Sequence, residues 1–295
     1  MLGFFQSICI ATRPKTLVIA VSPVLVGSSL SFKYGSFDGF LFCFILLSAI
    51  FIQIGTNFAN DVYDFIKGAD DDKRLGPMRV VQAGLISIKN MKILTALAFT
   101  LSIIFGLPLV IKGGLPILFI GILSIISGYA YTAGPYPLGY NGWGDFFVFC
   151  FFGPVAVCGT YFLQNNSLSY ASIILGIIIG CLSILLLCIN NLRDINTDRK
   201  VGKRTLAVRF GPRFIRFLFI TLVLLTYLLS FGLTYIMMIL NTYLFYLLLF
   251  ITVPIFIIIS KNIFQLSGEA LNIVFGQVIF FIILYIGILI ASILL

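Results

Sequence analysis

The sequence predicts an all-α membrane protein of about nine transmembrane helices, forming a single polytopic domain over residues 1–295. Three observations carry this. Hydrophobic residues make up 60% of the chain and charged residues only 10%. The mean hydropathy is +1.14, far above what a chain that must cover itself with polar surface sustains. The apolar residues also fall into runs near the ~20 residues needed to cross a bilayer.

The runs lie at 16–33, 38–60, 91–111, 115–131, 145–163, 170–191, 214–236, 241–260 and 271–294. The first begins after Arg13-Pro14-Lys15 and leads into further apolar sequence, so it reads as an uncleaved first span. An odd number of spans places the N-terminus and the 61–90, 132–144, 192–213 and 261–270 loops on one side. Those segments and the adjoining helix ends hold every Lys and Arg except Lys33 and Lys112. By the positive-inside rule that side is cytoplasmic. The net charge of +9 therefore encodes topology and an anionic substrate, and nucleic acid is not an expected partner; the lipid bilayer is.

The chain has no histidine, which excludes His-ligated haem, His-based triads and most zinc sites. Its six cysteines lack CxxC spacing and read as small apolar side chains. Any metal must be a hard ion held by oxygen.

Of ten acidic residues, seven fall in two segments that each follow a long apolar span. The first holds Asn60, Asp61, Asp64, Asp70, Asp71 and Asp72; the second holds Asn190, Asp194 and Asp198. Asn190, Asp194 and Asp198 are spaced i, i+4, i+8, which on one continuous helix places them on one face, about 6 Å apart along the axis. Asn60 and Asp64 repeat the pair, with Gly68 in the third place. Facing carboxylate clusters repel unless cations sit between them. Mg2+ suits the task, since it takes one or two carboxylates plus substrate phosphate oxygens. The interleaved bases Lys67, Lys73, Arg74, Arg79, Arg193, Lys203 and Arg204 suit the phosphates. Solvated surface pairing is the competing reading, and it fits Asp38 and Glu269 better than the two clusters.

At these residues the chain resembles the UbiA superfamily of intramembrane prenyltransferases, whose two Asn-xxx-Asp-xxx-Asp motifs follow the second and sixth helices. Asn190/Asp194/Asp198 matches in full; the first motif departs at Gly68. That departure, Asn60-Asp61…Asp64…Gly68-Ala-Asp70, is similar to the 1,4-dihydroxy-2-naphthoate branch (MenA-type). Arg13-Pro-Lys-Thr16, Gly76-Pro-Met-Arg79, Gly134-Pro-Tyr-Pro-Leu-Gly139 and the Gly202–Gly211 stretch are similar too.

The resemblance implies a helical bundle around a central cavity. It implies transfer of a polyprenyl group from polyprenyl diphosphate to an aromatic acid, with loss of pyrophosphate and CO2, giving demethylmenaquinone. It implies that Asn60, Asp61, Asp64, Asp70, Asn190, Asp194 and Asp198 ligate or orient Mg2+, with Asp64, Asp194 and Asp198 catalytic. Lys73, Arg74, Arg79, Lys203 and Arg204 would hold the diphosphate. Tyr131 is either an interfacial anchor or a cavity wall whose π face stabilises an allylic cation.

Other acceptors (4-hydroxybenzoate, homogentisate, 1,4-dihydroxy-6-naphthoate) stay open. A CDP-alcohol phosphotransferase would need one dense Asp motif. A cation transporter would place its carboxylates near the bilayer midplane. Pro23, Gly27, Gly153 and Pro154 are expected to permit kinks or close helix packing.

Overall fold

The computed structural model describes residues 3–70 and 74–295. All regular structure among them is helical. α1 (Phe4–Ala11) and a short 3-10 turn (Pro14–Thr16) meet α2 (Val18–Lys33) at a 54° bend. Arg13, with φ of 52° in the left-handed region, turns the chain between α1 and the 3-10 turn.

α3 (Gly39–Ile66) is started by Asp38, whose carboxylate accepts from the backbone N–H groups of Phe40 and Leu41. Its 28 residues span about 42 Å. That exceeds the ~30 Å hydrocarbon layer, so its last turns reach the interface. Those turns carry Asn57, Asn60, Asp61 and Asp64.

α4 (Ile88–Ala130) has 43 residues, too many for one crossing, and breaks at Gly114 (φ 69°, ψ −156°). Its two halves run in opposite directions along α3. In the first, Met91 packs with Phe58 and Val62, the Phe99 ring lies against Gly55, and Ser102 O accepts from Ser48 Oγ. In the second, Ile117 joins Leu41 and Ile45, Gly128 abuts Thr56, and Tyr129 meets Tyr63. The expected spans 91–111 and 115–131 are thus a hairpin folded at one glycine.

α5 (Gly144–Cys150) and α6 (Ala156–Asn165) form one interrupted crossing, joined by a π-helical turn at Phe151–Val155. α7 (Tyr170–Arg193) is the central helix, with 78% of its apolar window buried. The interruption is where the two approach: a Cβ on Gly153 would sit 2.6 Å from Gly176 O and from Gly180 Cα. Gly176 and Gly180 are four apart, the small-xxx-small spacing that lets helix backbones touch in lipid.

The short α8 (Ile195–Lys200) follows, then α9 (Leu206–Tyr235), α10 (Thr242–Gln265) and α11 (Leu271–Leu294). Among the described residues, seven helices are long and apolar enough to cross a membrane, and the bent α1–α2 pair makes an eighth. Counting α4 as two crossings gives nine. The outward faces carry side chains such as Ile111, 86% exposed, and Phe250, 79% exposed, which belong against lipid. The ends of α2 and α11 meet where Lys33 Nζ donates to Ile293 O at 2.8 Å.

Substituting Gly176 by Leu drives a side chain into Pro154 Cα, 2.7 Å from the added Cβ. Overpacking of this kind costs about 1–3 kcal/mol, so a lower melting temperature in detergent is expected, with the metal dependence of any activity retained. A Gly176→Leu protein as stable as wild type contradicts this packing.

Candidate active site

Both acidic segments open onto one polar cavity of about 450 Å³. From the end of α3 and the loop after it come Asn60, Asp64, Asp70, Arg74 and Arg79. From the end of α7 and beyond come Asn190, Asp194, Asp198 and Lys203, and Tyr131 closes one wall.

The charges are held in a network. Asp64 accepts from Tyr140 Oη at 2.9 Å and lies 3.5 Å from Arg79 Nη2. Asp70 pairs with Arg74 and lies 3.2 Å from Arg79 Nε. Arg193 grips Asp194 bidentately at 2.8 and 2.7 Å, and also donates to Asn272 Oδ1 at 2.9 Å. Asn272 in turn donates to Leu75 O at 2.8 Å, fastening the first loop to the second motif. Lys203 lies 3.4 Å from Asp198.

Electrostatics link the two segments. Burial pushes Asp70 up to about 7, against the pull of Arg74 and with the help of Asp64. Burial likewise pushes Asp198 up to about 6, opposed by Lys203 and reinforced by Asp194. For Lys203 burial favours loss of the proton, but Asp64, Asp198 and Asp194 together raise it above the usual lysine value. One ammonium therefore feels carboxylates of both motifs.

The donor set suits a hard divalent cation. It consists of carboxylate and amide oxygens; buried Asp198 Oδ2 lacks a hydrogen-bond partner, and Asp70 Oδ2 is met only by the Arg79 ion pair at 3.2 Å. Among the described residues no three acidic or thiol side chains converge into a ready-made cage. What fits is a cation that completes its shell with oxygens of a bound ligand.

Several expected residues lie elsewhere. Asp61 is 1% exposed and does not line the cavity. Its two oxygens accept from the backbone N–H groups of Val80 and Val81 at 3.3 and 3.1 Å, so its role is to fold the loop. Arg204 is exposed and outside the cavity; it meets the site's surroundings through its backbone, donating to Tyr140 O at 2.7 Å. Lys73, Asp71 and Asp72 lie outside the described residues. The face expected along 190–198 is not one continuous helix either. Asp194 (φ −94°, ψ 8°) ends α7 and starts α8, while Asp194 N–H still donates to Asn190 O and Asp198 N–H to Asp194 O.

Other cavity-lining residues stand outside the two Asn/Asp motifs. Arg13 donates to Asn57 O at 3.3 Å, and Asn57 Nδ2 donates to Thr12 O at 2.9 Å. Thr132 Oγ1 donates to Asn60 Oδ1 at 2.9 Å. Arg193 stands among the interleaved bases of the second segment, and Asn57 sits one turn before Asn60; those were the available signals.

A second cavity, of about 370 Å³, is almost wholly apolar and lies among α2, α3, α4, α5 and α6. It shares Gln53, Thr56, Tyr131, Val148 and Phe152 with the polar one. Tyr131 thus stands at the junction, its hydroxyl 2.9 Å from where a Cβ on Gly144 would sit. Only glycine leaves the ring that place.

A bundle with paired acidic helix ends over an apolar channel defines an intramembrane prenyltransferase fold, and the chain belongs to the UbiA prenyltransferase family, whose model matches residues 20–284. It is 41% identical over 205 residues to the 1,4-dihydroxy-2-naphthoate octaprenyltransferase of Escherichia coli, covering 68% of this chain and 67% of that one. Its fold is similar to a UbiA homolog from Aeropyrum pernix K1 (TM-score 0.70, 14% identity, 97% of each chain). It is also similar to a UbiA homolog from Archaeoglobus fulgidus solved with DMAPP and Mg2+ (TM-score 0.62, 19% identity, 96% of this chain and 99% of that one).

Replacing Asp61 by Ala strands two buried N–H groups, costing about 1–3 kcal/mol each. Hydrogen exchange is expected to accelerate at Val80 and Val81 in metal-free protein, whereas Asp64→Ala leaves those amides protected. Equal protection in both variants contradicts the folding role of Asp61.

Proposed function

We propose that this chain transfers a polyprenyl group from polyprenyl diphosphate to 1,4-dihydroxy-2-naphthoate, releasing pyrophosphate and CO2 and yielding the quinol whose oxidised form is demethylmenaquinone. The observation that carries the reading is the junction of the two cavities. A lipid diphosphate needs a charged chamber for its head joined directly to an apolar channel for its tail, and Tyr131 stands where they join. The named activity of the E. coli relative supports the naphthoate as acceptor.

Asn60, Asp64 and Asp70 on one side, and Asn190, Asp194 and Asp198 on the other, would hold Mg2+. The bound Mg2+ supplies Lewis-acid stabilisation of the departing pyrophosphate; the A. fulgidus homolog solved with Mg2+ supports a divalent metal. Arg74, Arg79 and Lys203 add positive charge along the cavity wall, where oxyanion charge grows as the bond breaks. Arg is suited to bidentate phosphate contact.

The bond that breaks joins C1 of the prenyl chain to the diphosphate oxygen, which leaves with the electron pair. The bond that forms joins C1 to the ring carbon bearing the carboxylate, and that carbon then releases CO2 as its electron pair returns to the ring. Tyr131, at the mouth of the apolar channel, would present its π face to the allylic centre. Gln53 and Thr56 are the other polar side chains at that junction. Water must be excluded there, because it would capture the cation as an alcohol; Val148 and Phe152 line the same point.

The distribution of Lys and Arg supports a cavity mouth at the cytoplasmic face of the bacterial inner membrane. Acceptor and pyrophosphate would enter and leave through water, while the prenyl chain arrives through lipid.

Purified protein given Mg2+, labelled polyprenyl diphosphate and a panel of aromatic acids is expected to form prenylated naphthoquinol with release of CO2. Asp64→Ala and Asp194→Ala should each lower turnover by at least a thousandfold, an order set by loss of electrostatic stabilisation at the leaving group, while remaining folded in membranes. Product formed only with 4-hydroxybenzoate, or full activity in both variants, contradicts the reading.

A further inference from the structure

The loop between α4 and α5 holds one side chain that touches both acidic segments at once. Tyr140 is 8% exposed. Its hydroxyl donates to Asp64 Oδ1 at 2.9 Å, on the first segment. Its ring lies under two ammonium groups: Lys67 Nζ at 4.6 Å from the centroid, and Lys203 Nζ at 5.3 Å. Lys67 belongs to the first segment, and Lys203, paired with Asp198, to the second.

The loop itself is tied to both sides. On the second-motif side, Arg204 N–H donates to Tyr140 O at 2.7 Å, and Arg209 Nη2 donates to Asn141 O at 2.6 Å. Gly142 (φ 78°) allows this approach, since a Cβ there would lie 2.9 Å from Arg204 O. On the first-motif side, Lys67 Nζ donates to Thr132 O at 2.6 Å, and Thr132 Oγ1 to Asn60 Oδ1 at 2.9 Å. The loop is a spacer between two acidic helix ends, and among the described residues Tyr140 is the loop side chain that meets charged groups of both.

We propose that Tyr140 is a positioning residue that sets the separation and aim of the two acidic segments, its hydroxyl orienting Asp64 and its ring gathering Lys67 and Lys203. The inference rests on the metal-dependent reading above. The hydroxyl removes one rotational freedom from the Asp64 carboxylate, whose other oxygen faces Arg79 Nη2 at 3.5 Å. The ring offers negative charge density to two like-charged ammoniums that would otherwise separate. Phenylalanine does the second task alone; leucine does neither.

The test uses the full chain in detergent, with Mn2+ as the metal probe and inorganic pyrophosphate as the phosphate probe, read by electron paramagnetic resonance. Tyr140→Phe is expected to weaken Mn2+ binding about tenfold, as removal of a partner that orients a metal ligand does. Its melting temperature without metal should be unchanged. Tyr140→Leu should weaken binding roughly fivefold more, from loss of the cation–π contacts.

In prenyl transfer, Tyr140→Phe should raise the Mg2+ concentration needed for half-maximal rate and leave the acceptor KM unmoved. Wild-type Mn2+ affinity in Tyr140→Phe, or a loss that only tracks a fall in metal-free melting temperature, overturns the proposal. Equal affinities in the Phe and Leu variants overturn the part assigned to the ring. Absence of prenyl transfer by the wild type would contradict the proposed function instead, and the Mn2+ titration would still decide the role of Tyr140.

Discussion

Everything in this molecule answers to the cost of holding carboxylates together at the edge of a membrane. Two like charges about 6 Å apart repel by about 3 kcal/mol at an effective dielectric constant near 20. The chain meets this locally with its own cations: Arg74 and Arg79 on Asp70, Arg79 near Asp64, Arg193 on Asp194, Lys203 on Asp198. Burial raises Asp70 and Asp198 toward neutrality. Any cation bound by these two carboxylates would compete with protons.

The bundle places those charges through glycine. Gly114 folds the 43-residue α4 back on itself, which brings Tyr131 and Thr132 to the same end of the bundle as Asn60 and Asp64. Gly153, Gly176 and Gly180 let the π-turn between α5 and α6 press onto α7. That contact sets α5 beside Tyr131 while α7 delivers Asn190 and Asp194 to the cavity. Packing in lipid has no hydrophobic drive between helices, so close backbone approach is what fixes these distances.

The all-α membrane class, the paired acidic ends and their common side were legible in the sequence, because apolar runs and rare charges are strong signals in so apolar a chain. Finer assignments depended on tertiary contacts. Asp61 stands beside Asn60 in the motif, yet it faces the Val80–Val81 backbone and not the cavity, because consecutive helical residues point about 100° apart. The regular 190–194–198 spacing concealed a helix break at Asp194. Tyr140 had no periodic signal, since its partners lie 76 residues before it and on a separate loop after it.

The most direct test of the central claim is a crystal structure of this chain with Mn2+ and an unreactive prenyl thiodiphosphate, using anomalous scattering to locate the metal. The account predicts metal peaks between Asp64 on one side and Asp194 or Asp198 on the other, bridged by the thiodiphosphate, with the prenyl chain in the apolar cavity past Tyr131. Metal bound away from both acidic segments, with the diphosphate not between them, would contradict it.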